Sequence, residues 1–361
     1  MTTAPGAIDE SPRVAVVGSG AWGTTLALLV ARTEPVILFS HSPETAARLN
    51  ETRQNERRLP GLELPPRIHV TAEPDSLARA TDLVILAVPS AYLRATVERV
   101  ASSIPRSTDV LSVAKGLEND TLLRMTEVIA DASAAAGAAI DPERIAALSG
   151  PNLAQEIARG LPASAVIAST DPALGDRIVT RLSRREFRLY TNPDVLGVEL
   201  CGALKNIIAI AAGAADGLGF GDNGKAGLMT RGLAEMTRLG IAAGANPLTF
   251  AGLAGIGDVI ATCGSKLSRN HRLGEELARG RAWSEIEASL PGVAEGAYTV
   301  NAALALAARH GVEMPIAQEV HNALFEGKSV QRCLVDLLSR ESKDELADFQ
   351  RWVDRLGATS D

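Results

Sequence analysis

"RVAVVGSGAWGTTLALLVAR", residues Arg13 to Arg32, runs from a short apolar stretch through a glycine turn into an apolar helical pattern. Gly18, Gly20 and Gly23 stand at GxGxxG spacing between the strand-like VAVV and the helix-like TTLALLVA. Each glycine has its own physical reason. The first makes the turn, the second lets backbone approach a pyrophosphate, and the third lets helix pack against strand. A lone GxGxxG is a weak signal that a ligand-free glycine turn also satisfies. With a strand before it and a helix after it, the spacing points to a bound dinucleotide.

Outward from this turn the pattern repeats. VILF (Val36–Phe39), DLVILAV (Asp82–Val88), DVLSVA (Asp109–Ala114), IAALS (Ile145–Ser149) and SAVIAS (Ser164–Ser169) read as strands. Helical stretches such as Tyr92–Ala101, Leu122–Ala136 and Ala154–Arg159 separate most of them. Continuous Val/Ile/Leu runs alternating with helices predict an α/β, doubly wound parallel sheet of the Rossmann type, covered on both faces. Residues 51–67 read as a polar, proline-bearing excursion between strand units. Beyond about Asn192 only helical periodicity and glycine punctuation remain. The expected domains are therefore a loose tail (1–12), a dinucleotide-binding domain (13–193) and an all-helical substrate domain (194–361).

The second strand ends at Phe39-Ser40-His41 without the acid that binds a ribose 2′-hydroxyl, which removes repulsion against a 2′-phosphate. His41 and Arg48 favour one, so NADP is expected to be accepted as well as NAD.

Composition narrows the class. The net charge of −7 gives no nucleic-acid surface. Cys201, Cys263 and Cys333 lack CxxC spacing and read as free thiols in a reducing compartment. MTTAPGAIDE lacks the basic start of a signal peptide, and no apolar run reaches a membrane span. A cytoplasmic protein without membrane insertion is expected. His41, His69, His271, His310 and His321 have no metal spacing, so no metal is expected.

In the helical half, "LCGALKNIIAIAAGAAD" (Leu200–Asp216) carries Lys205 as its one charge before Asp216. Its neighbours at helical spacing, Cys201, Gly202, Ile208 and Ala209, are uncharged. Such a lysine either snorkels to water or sits desolvated, with its pKa lowered toward a value useful for proton transfer. Asp258 is the only charge between Arg238 and Lys266. Two isolated opposite charges are expected to pair, either as a plain buried salt bridge or as an acid/base site. Ser268, Arg269 and Asn270 open a helix. That pattern caps free N–H groups and, with a forked cation, suits a phosphate. "GFGDNGK" (Gly219–Lys225) matches GxxxxGK, but Ala226 follows it and no strand precedes it. It reads as a mobile glycine-rich connection rather than a triphosphate loop.

Together, "GSGAWGTTLA", "SVAKGLE", "LSGPNLAQEIARGLP", "GALKNIIAIAAGAADGLGFGDN", "TRGLAEM", "AGIGD" and "SRNHRLG" resemble the bacterial-type NAD(P)-dependent glycerol-3-phosphate dehydrogenases, over about Val14 to Glu326. The resemblance implies reversible hydride transfer between a nicotinamide and dihydroxyacetone phosphate, a small phosphorylated triose, giving sn-glycerol 3-phosphate for glycerophospholipid synthesis. It implies a homodimer with an active site between the two domains. Lys205 would be the general acid/base. Lys115, Gly150, Asn152, Asp258, Ser268, Arg269 and Asn270 would bind substrate, although the family often has Thr or Ser at the position of Asn152. Gly18, Gly20, Ala21, Trp22, Gly23, His41, Lys115, Ala154, Arg269, Val293 and Glu295 would hold the cofactor. Ala21 replaces a common serine and removes one side-chain donor to phosphate.

Two competitors share part of this pattern. A related dehydrogenase of a 3-hydroxy acid or ketopantoate would not need Lys115 with Ser268-Arg269-Asn270. A non-catalytic dinucleotide sensor could dispense with Lys205 and Asp258. The acidic C-terminal stretch, with Leu346, Phe349, Trp352 and Leu356 on one face, reads as a final amphipathic helix.

Overall fold

A computed structural model of the chain describes residues 11–289 and 292–341. The tail up to residue 10 and the amphipathic C-terminal stretch lie outside the described residues. Two compact units form. One gathers the chain up to Ala114 with Met125–Leu148 and Asn152–Pro193; the other gathers Lys115–Arg124, Ser149–Pro151 and the described chain from Asp194 on.

The first unit is built on eight strands: β1 (Val14–Val17), β2 (Val36–Phe39), β3 (Ile68–Thr71), β4 (Leu83–Leu86), β5 (Asp109–Ser112), β6 (Ile145–Ser149), β7 (Ala163–Ala168) and β8 (Phe187–Asn192). Their order is β3-β2-β1-β4-β5-β6-β7-β8. Pairs β1–β2, β1–β4, β2–β3, β4–β5, β5–β6 and β7–β8 are parallel. Two of these strands escape the apolar-run pattern. β3 is the tetrapeptide IHVT, and β8 alternates buried Phe187 and Leu189 with exposed Arg188 and Tyr190. Both lie at sheet edges, where one side stays wet and an unbroken apolar run is not needed.

Alternation along the strands sorts the core. Val14, Val16, Leu38, Ile85, Leu111 and Leu148 cluster with Leu26 and Val30 of the helix Ala21–Ala31 and with Leu174 and Ile178 of the helix Pro172–Leu182. Val17, Ile37 and Phe39 point the other way and are equally buried. The helix Leu93–Val100 covers that side: the Arg99 guanidinium carbon lies 5.6 Å from the centre of the Phe39 ring. Val17, Phe39 and Leu86 are in register, so Gly18, Ser40 and Ala87 line up just past the strand ends. Chain order reverses between β1 and β4 at that edge, which is where open α/β sheets bind ligands.

The second unit is organised around the helix Val195–Gly217, of which seventeen of 23 residues are buried. By length and composition this helix, and the stretch Pro247–Gly264, pass the test for a membrane span. That departs from the expectation that no run is long enough. The helix's most apolar window is 83% buried inside the protein, as a core helix is. The helix Arg269–Ala278 packs closely on it. A Cβ on Gly213 would fall 1.8 Å from the His271 carbonyl oxygen, so only glycine allows this approach. "GFGDNGK" is mostly helix rather than loop: the connection is Leu218–Phe220, and a helix runs over Gly221–Ala243.

Glu235 of that helix is buried and caps the helix Pro315–Phe325, accepting the N–H groups of Ile316 (2.7 Å) and Ala317 (3.4 Å). Burial pushes its carboxyl up to about 7, against the pull of those N–H groups and of Arg238 and Arg340. Between the unfolded value near 4.5 and about 7, the folded chain holds a proton that the unfolded chain has released. Stability from this group is therefore full below the unfolded value and is lost as pH rises through 7, by up to about 3 kcal/mol. Urea unfolding at pH 5 and pH 8 should show that fall in the wild type and a flatter profile in Glu235→Gln. An equal slope in both would remove Glu235 as its source.

Candidate active site

Within the helical unit, three side chains close on one carboxylate. Asp258 begins the helix Asp258–Gly264, after an irregular turn over Leu253–Gly257 that Gly255 breaks. Its Oδ2 accepts Lys115 Nζ at 2.6 Å, and its Oδ1 lies 3.1 Å from Lys205 Nζ. Lys205 also donates to Thr262 Oγ1 at 2.7 Å, and Thr262 donates to Asp258 Oδ1 at 3.0 Å. Lys115 donates to the Gly150 carbonyl at 2.9 Å; that glycine has φ +131°, a conformation glycine adopts without a Cβ penalty.

All three charges are nearly dry: the side chains of Lys115, Lys205 and Asp258 are 12%, 8% and 2% exposed. Burial alone pushes the Asp258 carboxyl up, but the Lys115 and Lys205 charges together hold it below its ordinary value. Burial lowers the Lys115 ammonium, and the charge of Lys205 adds to that; Asp258 opposes both. Two cations against one anion leave a positive excess. An ammonium has three donors. Each lysine spends two in the described contacts, leaving one N–H apiece for a ligand.

The helix Arg269–Ala278 supplies the neighbouring groups. Ser268 caps it by accepting the His271 N–H at 3.2 Å. Arg269 is exposed with no polar partner among the described residues. Asn270, the third residue of this group, is buried. Its Nδ2 donates to Asn206 Oδ1 at 2.9 Å and its Oδ1 accepts the Gly296 N–H at 3.0 Å, so both ends are engaged in joining helices. His271 Nε2 lies 2.8 Å from Asp216 Oδ2, which also accepts Lys225 Nζ at 2.9 Å and so anchors the end of the Lys205 helix. Glu295 opens the helix Glu295–Arg309 and acts electrostatically on Lys115; Val293 is half-buried just before it.

In the sheet unit the glycine turn has its own logic. Gly18 has φ +116°, and a Cβ there would fall 2.4 Å from the Ala87 carbonyl; one on Gly23 would fall 1.9 Å from the Gly18 carbonyl. Gly20 is different. Its φ of −70° suits any residue, and a Cβ would meet nothing within 4 Å. Neither backbone nor packing requires glycine at 20, so the open space there fits a ligand's approach. No side chain caps the helix start at Ala21, no acid lies in its first turn, and Trp22 Nε1 is buried without a partner. These features fit a dinucleotide pyrophosphate. Ala154 packs here, its carbonyl accepting Thr25 Oγ1 at 3.1 Å. His41 is exposed just beyond β2. Asn152 keeps both polar side-chain atoms buried and unpartnered.

Family comparison gives the same reading over nearly the whole chain. The model for the NAD-dependent glycerol-3-phosphate dehydrogenase N-terminus matches residues 13–175, and that for its C-terminus matches residues 194–335. The chain belongs to the NAD-dependent glycerol-3-phosphate dehydrogenase family. A glycerol-3-phosphate dehydrogenase (NAD(P)+) from Streptomyces avermitilis is 45% identical over 334 residues, covering 92% of this chain and 98% of the relative. One from Chlorobium limicola is 44% identical over 334 residues, covering 92% and 99%. The crystal structure of glycerol-3-phosphate dehydrogenase from Coxiella burnetii has a TM-score of 0.85 at 36% identity, covering 91% and 98%.

Three residues of this family member escaped sequence reasoning. Thr262 sits one helical turn past Asp258, a spacing that could have signalled a shared face. Asn206 directly follows Lys205. Asn55 gave no signal, because it lies far along the chain in the proline-bearing excursion. It is 3% exposed, and its Nδ2 donates to the Ser19 carbonyl (3.0 Å) and to Thr24 Oγ1 (2.8 Å), bracing the glycine turn. Asn55→Ala leaves those acceptors buried without their donor. It should lower unfolding stability by about 1–3 kcal/mol, read from urea midpoints; an unchanged midpoint would remove the bracing role.

Proposed function

We propose that Lys205 is the proton donor and Lys115 the substrate anchor of a glycerol-3-phosphate dehydrogenase reaction, with Asp258 holding both ammonium groups. As a member of the family the chain is an NAD(P)-dependent oxidoreductase. Its reaction is the reversible reduction of dihydroxyacetone phosphate to sn-glycerol 3-phosphate, which feeds glycerophospholipid synthesis. The observation that carries the reading is the buried Lys115–Asp258–Lys205 cluster, with one N–H left on each lysine.

When bound, the reduced nicotinamide supplies the hydride that the substrate C2 takes up. The C2 oxygen gathers negative charge as the carbonyl π bond breaks, and the remaining N–H of Lys205 protonates it. A hydroxyl results, and the lysine is left as a neutral amine. In the oxidative direction the amine takes the proton back. Asp258 and Thr262 keep Nζ in place for both directions, and preorganised donors at a developing oxyanion are a large source of rate. Lys115 places its free N–H and its charge on the substrate, and its contact with the Gly150 carbonyl fixes it. Asn152, with both polar atoms unpartnered, offers a further substrate contact. The phosphate falls to Ser268, the exposed Arg269 and the backbone N–H of Asn270 at the helix start. On the cofactor side the candidate residues are Gly18, Gly20, Ala21, Trp22, Gly23, His41 and Ala154, joined by Lys115, Arg269, Val293 and Glu295. Cytoplasmic placement is supported by three buried free thiols, and homodimerisation by family resemblance alone.

Nicotinamide absorbance should fall when dihydroxyacetone phosphate is added to enzyme with NADH or NADPH, but not with unphosphorylated dihydroxyacetone. Equal rates with both ketones would contradict a phosphate-dependent site. Arg269→Ala should raise the KM for the phosphorylated substrate on the order of tenfold or more, the loss of a charge-assisted contact. An unchanged KM would move the phosphate elsewhere.

A further inference from the structure

We propose that Arg99 reads the 2′-phosphate of NADPH, making it the residue that sets this enzyme's preference for the phosphorylated dinucleotide. The proposal rests on the dinucleotide reading of the glycine turn given above.

In this fold the residue some twenty positions beyond the glycine turn, at the end of the second strand, faces the adenosine ribose. Here that position is Ser40-His41. Ser40 is buried and engaged: its Oγ accepts Ser19 Oγ at 3.1 Å and the Ser42 N–H at 3.4 Å. It ties the strand end to the glycine turn and brings no charge. An acid here would hold a 2′-hydroxyl and repel a phosphate; neither occurs.

Arg99 comes from the helix Leu93–Val100, and its head is held at this strand end. Its Nη1 donates to the His41 carbonyl at 3.2 Å, and the guanidinium covers the Phe39 ring at 5.6 Å. No carboxylate pairs with it among the described residues, and the side chain is exposed. It is a positioned cation with donors to spare. Several other arginines on the sheet unit are spent on acids: Arg94 on Asp131, Arg144 and Arg177 on Asp109, and Arg181 on Glu34 and Asp82. Glu44, the nearest acid in sequence to His41, folds back to accept Ser42 Oγ at 2.7 Å within the cap of its own helix. Arg48 of that helix adds a further cation. A planar guanidinium with free N–H groups matches a phosphate's oxygens, whereas a 2′-hydroxyl gains little from it.

The test uses dinucleotide fragments that lack the nicotinamide, so that binding is read without turnover. Calorimetric titration with ADP-ribose and 2′-phospho-ADP-ribose should show the phosphorylated fragment binding on the order of tenfold or more tightly to the wild type. Arg99→Gln keeps a donor for the His41 carbonyl and cover for Phe39 while removing the charge. In this variant the two fragments should bind alike, with ADP-ribose affinity unchanged and the melting temperature held. Equal binding of both fragments by the wild type would overturn the proposal, as would a preference that survives in Arg99→Gln. Binding of neither fragment would remove the dinucleotide reading itself, and this assignment with it.

Discussion

One buried carboxylate sets the terms for the helical unit. Asp258 is 2% exposed and accepts two ammonium groups, one on each oxygen. Left alone, any of these three ions would cost several kcal/mol in so dry a place. Held together they leave a positive excess that a bound anion can complete. The rest of the unit serves that arrangement. The helix Val195–Gly217 is buried over most of its length, which leaves the Lys205 side chain only 8% exposed. The glycine at 213 lets the helix that begins with Ser268, Arg269 and Asn270 pack close beside it.

The sheet unit answers a different constraint. Parallel strands in register bring Gly18, Ser40 and Ala87 to one edge, and the reversal of chain order there opens a crevice. Gly18 and Gly23 are required by the protein's own backbone, while Gly20 is not. A glycine that neither conformation nor packing requires is the clearest mark of a ligand in this unit. The groups that shape the edge come from far away in sequence: Asn55 braces the turn and Arg99 covers the end of β2.

Much of this is legible in the sequence because the physics is local. Val/Ile/Leu runs between helices give six of the eight strands, and GxGxxG spacing gives the turn. The isolation of Lys205 and Asp258 in uncharged stretches announces their pairing, since a lone buried charge is costly. What escapes is tertiary. β3 and β8 are edge strands with one wet side, so their runs are broken by His69, Arg188 and Tyr190. Asn55 and Thr262 are ordinary polar residues until folding places them. Asn270, in "SRN", also joins helices through Asn206 and Gly296, contacts that only the fold brings about. Arg99 reads as a surface helix arginine, and only the stacking on Phe39 reveals where its charge is held.

The measurement that bears most directly on this account is turnover by Lys205→Ala with dihydroxyacetone phosphate, alongside its affinity for NADH. Asp258 keeps Lys115 in that variant, so no buried carboxylate is left unpaired and the fold should survive. The account predicts a fall in turnover of at least ~10²-fold, the low end for a lost general acid, with NADH affinity nearly intact. Turnover close to the wild-type rate would contradict it and return the lysine to the role of a buried salt-bridge partner.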